Sequence, residues 1–301
     1  MEKIKLSHCE LAYRVWGEGS DTLVIQTALN SCCAEWWHIA EDLGKHFRVI
    51  VFDRAGYGES SSSSEPRTPE NISLELSELL DKLDVRTPVI LLGHSQGGLY
   101  CADFALRNPK RIRALILLDP LTPYDHEFKD VLSKGDYKRS GIDKLPNMKM
   151  GKIIAGLGLG FLFKPLLKKS PPFYYHEFPD DTAMYMLESL TRKRSYHTAI
   201  QEYLLACRPE NSQLVDRGIR KSPLDIPLVL ILHSSEIYIK EMMQYTRLDE
   251  KTSKIIEDKW QEIMRRYMHF SKRARLVEAP QSGHFIHLTD YALLKETIMK
   301  I

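Results

Sequence analysis

The chain of 301 residues is 43% hydrophobic and 27% charged, with 42 Lys+Arg against 40 Asp+Glu. That balance excludes a disordered or collagen-like chain. The net charge of +2 gives the molecule as a whole no field of one sign, so neither nucleic acid nor an anionic membrane is favoured as a partner on bulk charge. A chain of this length can bury about 75% of the surface it exposes unfolded, as one large domain with an insertion or as two small ones. The cysteines (Cys9, Cys32, Cys33, Cys101 and Cys207) show neither CxxC metal spacing nor a dense disulfide framework. The start, Met1-Glu2-Lys3-Ile4-Lys5-Leu6-Ser7-His8, lacks the apolar core of a signal peptide. A reducing, cytoplasmic setting is the expectation.

Strand and helix signals alternate over the first 120 residues. Lys3 to Leu6 and Leu11 to Trp16 are expected strands, and Thr22 to Gln26 is a compact apolar run behind a Gly-Ser-Asp turn. Trp36, Ile39, Ala40 and Leu43 recur at i, i+3, i+4 and i+7, the stripe of an amphipathic helix. Arg48 to Phe52 is the next strand. Beyond a serine loop, Thr68-Pro69-Glu70 opens a helix with Pro at its first position, and Ile72, Leu76, Leu79, Leu80 and Leu83 form its apolar face. Pro88 to Leu92 and Ala114 to Leu118 are buried-strand runs flanking a helix from Gly97 to Arg107 that Asn108-Pro109 stops. This alternation predicts parallel strands with helices covering both faces.

From Thr122 to Pro223 no comparable strand run occurs. Short helix candidates, including Met184 to Arg192 and Thr198 to Cys207, predict a helical cap over 122–223, too long for a structureless loop. The longest apolar stretch, Ile153 to Phe163, falls inside it, too short for the roughly 20 residues of a membrane span. It reads as a partly buried lid; the flanking Lys152 and Lys164 also permit contact with a membrane surface. Alternation resumes with the strand Pro227 to Leu232, a helix bearing Ile256, Trp260, Ile263, Met264 and Tyr267, a strand Arg275 to Glu278 and a closing helix Asp290 to Ile301. The sheet-forming core is therefore expected at 1–121 and 224–301.

The strand ending at Leu92 runs directly into Gly93-His94-Ser95-Gln96-Gly97-Gly98 and then a helix. This is G-x-S-x-G in the strand–turn–helix setting that makes it meaningful. So sharp a turn strains the serine backbone and admits only small neighbours. Ser95 is the expected nucleophile, and the Gln96 N–H is left free to meet an oxyanion. A serine hydroxyl needs a base. His284 lies in Ser282-Gly283-His284-Phe285 after the last strand, at the sheet edge where parallel strand ends gather, and is the expected base; His287 reads as a surface or supporting histidine.

A third group must orient the imidazole, and chain order places an acid after the strand ending at Leu232. Glu236 is the first choice there. Asp119, closing an earlier strand, is the alternative, against its bland reading as a turn former before Pro120. A second oxyanion donor is expected from the loop Thr27 to Cys33, with Leu29 as the backbone donor and Asn30 or Ser31 as side-chain donors or helix caps. Cys32 reads as a small buried hydrophobe rather than a rival nucleophile.

With these motifs in place, and with Asp53-Arg54-Ala55-Gly56-Tyr57-Gly58-Glu59-Ser60 matching a D-x-x-G-x-G-x-S turn, the chain resembles the esterase-like branch of the α/β-hydrolase fold superfamily. The resemblance implies an eight-stranded, mostly parallel sheet and cofactor-free Ser-His-acid catalysis. Two positions depart from that pattern: Thr27-Ala28 replaces the usual His-Gly, and the acid position reads Glu236 after His233. A serine nucleophile disfavours the family's dehalogenases and epoxide hydrolases. The expected activity is hydrolysis of a carboxylic ester or related acyl compound, without metal or cofactor. The apolar cap residues Ile153, Ile154, Leu157, Leu159, Phe161, Leu162 and Phe163 suggest a lipophilic substrate. Thioester, amide or C–C hydrolysis and perhydrolysis use the same groups, and a sensor of the same fold with little turnover is the rival from another class. The sequence fixes no oligomeric state.

Overall fold

The computed structural model describes residues 1–206 and 223–301. Among these residues lies an eight-stranded sheet of order β1-β2-β4-β3-β5-β6-β7-β8. Its strands are β1 (Glu2–Lys5), β2 (Glu10–Trp16), β3 (Thr22–Gln26), β4 (Arg48–Phe52), β5 (Val89–His94), β6 (Ile112–Leu118), β7 (Leu224–His233) and β8 (Ser271–Ala279). β1 pairs antiparallel with β2, and β2 antiparallel with β4; every later pairing is parallel. The two last strands are longer than the apolar runs that announced them. Their extensions pair Leu224 with Ser271 and Pro227 with Arg273 across an irregularity that holds the polar Asp225 and Lys272, so there the backbone pairing rather than an apolar run defines the strand.

The central strands are apolar along their whole length because both faces are covered. Val24, Leu91, Leu115, Leu117, Leu228 and Leu230 pack to one side. Leu23, Ile25, Ile90, Leu92, Ile116 and Ile231 pack to the other. Burying each such side chain contributes about 1.5–3 kcal/mol, so the central strands form a rigid platform from whose carboxyl ends the loops project.

The helices flanking the first half are α1 (Trp37–Leu43), α2 (Pro69–Lys82) and α3 (Gln96–Arg107). A short 3-10 turn, Cys33–Trp36, precedes α1 and takes Trp36 out of the expected helix, although Trp36 is fully buried. Thr68 caps α2 as expected, its side chain accepting from the Asn71 N–H.

Between β6 and β7 the described residues form helices and turns and no strand: α4 (Phe128–Val131), α5 (Lys134–Ser140), α6 (Leu145–Gly156), α7 (Lys164–Leu167), α8 (Asp180–Thr191) and α9 (Lys193–Ala206). Cys207 and the rest of the expected cap through residue 222 lie outside the described residues. The closing portion carries α10 (Ser235–Thr246), α11 (Glu250–Arg265), α12 (Ile286–Thr289) and α13 (Tyr291–Met299).

The apolar stretch expected to be a partly buried lid is a correction. Ile153 is 66% exposed and Leu157 70%, and Phe161 and Leu162 are exposed as well. The face of α6 that packs inward is made by Met148 and Gly151, and Gly151 lies against the Tyr196 ring, where any Cβ would collide. The apolar side chains one face away therefore lie uncovered among the described residues.

Candidate active site

Ser95 stands between β5 and α3 at φ 53°, ψ −122°. This is the strained conformation expected of the turn. The close approach that it requires falls on Gly97, where a Cβ would lie 2.3 Å from the Gln26 carbonyl oxygen and 2.6 Å from that of Thr27. Backbone bonds then lock the turn to the neighbouring strand end: the Ser95 N–H donates to Leu118, and the Leu121 N–H donates back to the Ser95 carbonyl at 2.7 Å.

Asp119 follows β6, fully buried and also at positive φ (44°). Its N–H donates to the Ile231 carbonyl at 2.8 Å, tying it to β7. Its Oδ2 meets two imidazoles, Nδ1 of His284 at 2.5 Å and Nδ1 of His233 at 2.8 Å, while Oδ1 accepts the His233 backbone N–H at 3.1 Å. An ionised carboxylate only accepts, so both Nδ1 atoms carry hydrogen. In the neutral tautomer that this bond selects, Nε2 is the bare nitrogen of His284. Ser95, Asp119, His233 and His284 line one cavity of about 200 Å³ with Leu121, Phe128, Ile142 and Lys144. A second cavity of about 190 Å³ shares Ile142, Tyr238, Ile256 and His284 and adds Tyr175, Met242 and Phe285.

Glu236 is not brought to His284. β7 ends at His233, Ser234 caps α10, and Glu236 lies in the first turn of that helix, exposed and paired with Lys240 at 2.7 Å. The chain has already turned into a helix at the position where an acid was expected to reach back. The carboxylate that meets His284 is Asp119, the alternative, reaching across from the adjacent strand.

His233 was not anticipated. Its Nε2 faces Glu257 Oε2 at 3.1 Å while Nδ1 faces Asp119, and both carboxylates are fully buried. Two acceptors on opposite ring nitrogens require two N–H groups, so His233 is an imidazolium. Its ring is stacked between Tyr238 and Trp260, each centroid 4.2 Å away, which suits a cation. Burial opposes that charge, but attraction to Asp119 and the hydrogen bonds prevail and raise the His233 pKa to about 10. Burial likewise opposes the Asp119 charge, and His233 and His284 together still hold its carboxyl well below the usual range. Glu257 is further held by Ser235 Oγ at 2.7 Å and Gln261 Nε2 at 2.8 Å. The available sequence signal was a basic residue at the strand end where an acid was expected, which implies that the acid comes from a neighbouring strand.

The loop after β3 carries Leu29, Asn30 and Ser31, the residues named as candidate oxyanion donors. Leu29 packs beside Tyr57, Met148, Ala199 and Tyr203. Asn30 stands at φ 54° with its N–H donating to Tyr57 Oη, and the Ser31 hydroxyl donates to Glu35 at 2.7 Å. Gln96 opens α3, where the first N–H groups of a helix lack internal acceptors. In place of the usual His-Gly, the Thr27 and Ala28 carbonyls receive hydrogen bonds from the buried Arg54 guanidinium at 2.6 and 3.0 Å. Arg54 in turn pairs with Glu202 of α9, which also accepts from Tyr57 Oη. This link between the helical stretch and the loop was not legible in the sequence, since the partners are 148 positions apart.

Behind the site, the buried His94 donates from Nε2 to the His284 carbonyl at 3.0 Å, steadying that loop. His287, read as a surface or supporting histidine, is fully buried, stacked on Trp36 and donating to Glu35 at 2.8 Å. Burial keeps both imidazoles neutral, their pKa values well below the ordinary value. Glu35, His94 and His287 offer ligand atoms within 4.8 Å of one another. Both Glu35 oxygens are already engaged, one by His287 and one by Ser31, so this group reads as a hydrogen-bonded support. Cys32 and Cys33 are buried and burial raises their pKa values well above ordinary, against any nucleophilic role.

A family model described as alpha/beta hydrolase fold matches residues 21–141. Pimeloyl-[acyl-carrier protein] methyl ester esterase of Salmonella heidelberg is similar, 35% identical over 112 residues, 36% of this chain and 40% of that protein. The uncharacterized protein YqjL of Bacillus subtilis is 31% identical over 104 residues, 35% of this chain and 41% of YqjL. These matches span less than half the length of either relative. Over the whole chain, the structure is similar to that of the enol-lactonase of Burkholderia xenovorans, with TM-score 0.66 and 18% identity, covering 99% of this chain and 98% of that one.

Proposed function

The chain has the α/β-hydrolase fold, and from that premise we propose that it is a serine hydrolase acting on a carboxylic ester or related acyl compound. The observation that carries the reading is the Asp119–His284 pair sharing one cavity with Ser95 at its strained turn. His284 Nε2 takes the Ser95 proton as Oγ attacks the carbonyl, and Asp119 holds the imidazole and offsets its charge. The Leu29 and Gln96 N–H groups receive the tetrahedral oxyanion, each such donor contributing about 3 kcal/mol. His284 then protonates the leaving alcohol, and water activated by the same nitrogen releases the acid. The segment between β6 and β7 serves as the cap, supplying Ser140 from the end of α5 and Ile142 and Lys144 from the connection to α6 to the cavity wall. The similarity to an esterase and a lactonase supports an ester-type substrate.

The apolar lining comes from Leu121, Phe128, Ile142, Ile256 and Trp260 rather than from residues 153–163. Wild type is expected to react with a fluorophosphonate and to hydrolyse p-nitrophenyl esters, and Ser95→Ala to lose both. Labelling without turnover on a broad ester panel would sink the hydrolase reading in favour of a ligand sensor. A steady fall in activity from acetate to longer acyl chains would show that the apolar wall does not bind the acyl group.

A further inference from the structure

The exposed stretch from Met150 to Leu166 has no role in the chemistry above, and its composition is the reverse of a solvated surface. Along α6, Met150, Ile153 and Leu157 follow one another at i, i+3 and i+7, on the face opposite the inward Met148 and Gly151. Phe161, Leu162 and Leu166 continue the exposed apolar run through the next turn and α7. An apolar surface of this extent on a folded chain marks an interaction site.

Charge identifies the occupant. From Leu145 to His176 the chain contains no Asp or Glu, while Lys149, Lys152, Lys164, Lys168 and Lys169 interleave with the apolar residues. Lys164 and Lys168 border a cleft to which α8 brings the exposed Met184 and one acid, Asp180, so the apolar surface continues onto a second element while the bases stay in the majority at its rim. A second copy of this chain is a poor partner, because a two-fold contact would set these lysines against their own equivalents. No helix among the described residues is long and apolar enough to cross a membrane. We propose that this face docks on the surface of an anionic lipid bilayer, with the apolar side chains entering the headgroup boundary and the lysines meeting lipid phosphates and carboxylates.

The test is co-sedimentation of the full chain with phosphatidylcholine vesicles with and without phosphatidylserine. Wild type is expected to bind the anionic vesicles and to be released by salt. Ile153→Ser/Leu157→Ser and Lys164→Glu/Lys168→Glu are each expected to weaken binding by about tenfold or more, with unfolding midpoints unchanged because Ile153, Leu157 and Lys168 are exposed and Lys164 is only half-buried. Ser95→Ala is expected to bind as wild type, so this result stands or falls separately from the proposed catalysis. Absence of wild-type binding, equal binding to both vesicle types, or equal binding by the variants would overturn the proposal. So would self-association of the wild type that the Ile153→Ser/Leu157→Ser variant abolishes, without any vesicle binding.

Discussion

Asp119 serves two histidines through one carboxylate, and the two do different work. Both rings line the cavity that holds Ser95, but His284 is partly exposed there, whereas His233 is buried between aromatic rings and bonded to a second carboxylate. Asp119→Asn is expected to lower kcat by about three to four orders of magnitude, because an amide can accept from only one side and no longer offsets the imidazolium. Glu236→Gln, at an exposed residue paired with Lys240, is expected to change kcat less than about twofold; the two variants assayed together on one ester decide which acid matters. His233→Gln leaves Asp119 and Glu257 buried without their cation, at a cost of about 3–5 kcal/mol. Because the folded pKa of about 10 lies above the ordinary value for histidine, that stabilisation is complete below about pH 6.5 and lost as pH rises through about 10. The difference in unfolding midpoint between wild type and His233→Gln should accordingly shrink in alkaline buffer, and a constant difference would contradict the imidazolium assignment.

At the scale of elements, strand ends do the positioning. Ser95 is bonded through its backbone to Leu118 and Leu121, Asp119 to Ile231, and Ser234 to Ser282, so the turns after four successive strands form one laced edge. Helix α9 reaches that edge through Glu202, which holds Arg54, which holds the carbonyls of Thr27 and Ala28. Glu202→Gln is expected to lower stability by about 3 kcal/mol or more and to reduce kcat more than it changes KM, since the loop expected to stabilise the oxyanion loses its anchor. Calorimetry and steady-state kinetics on the same preparation check both. Ser95 was legible in the sequence because an elbow is a local event, with strand, glycines and helix all contiguous. Asp119 was not separable from Glu236, because which strand end faces a distant histidine depends on sheet order and register. The apolar run 153–163 misled because an apolar composition reports which side chains avoid water, not whether the fold supplies anything to cover them.

Over the whole molecule, the parallel strands were readable because burial on both faces leaves unbroken apolar runs, as in Leu23 to Ile25 and Val89 to Leu92. What length and composition could not convey is how unevenly charge is spread. The total is nearly neutral, so kcat/KM for a neutral soluble ester should vary less than about twofold between low and high salt, measurable in one assay series. The acid-free stretch Leu145 to His176 is a local exception to that neutrality. The pairing of Arg54 with Glu202, both fully buried, has a mechanical consequence. Swinging α9 outward would strand two opposite charges in a dry interior, so this side of the molecule behaves as a fixed jamb. Passage to Ser95 then falls to Ser140, Gly141 and Lys144, which border the cavity and whose neighbour Ile142 is held to α9 by a hydrogen bond from Tyr203 rather than by a buried ion pair.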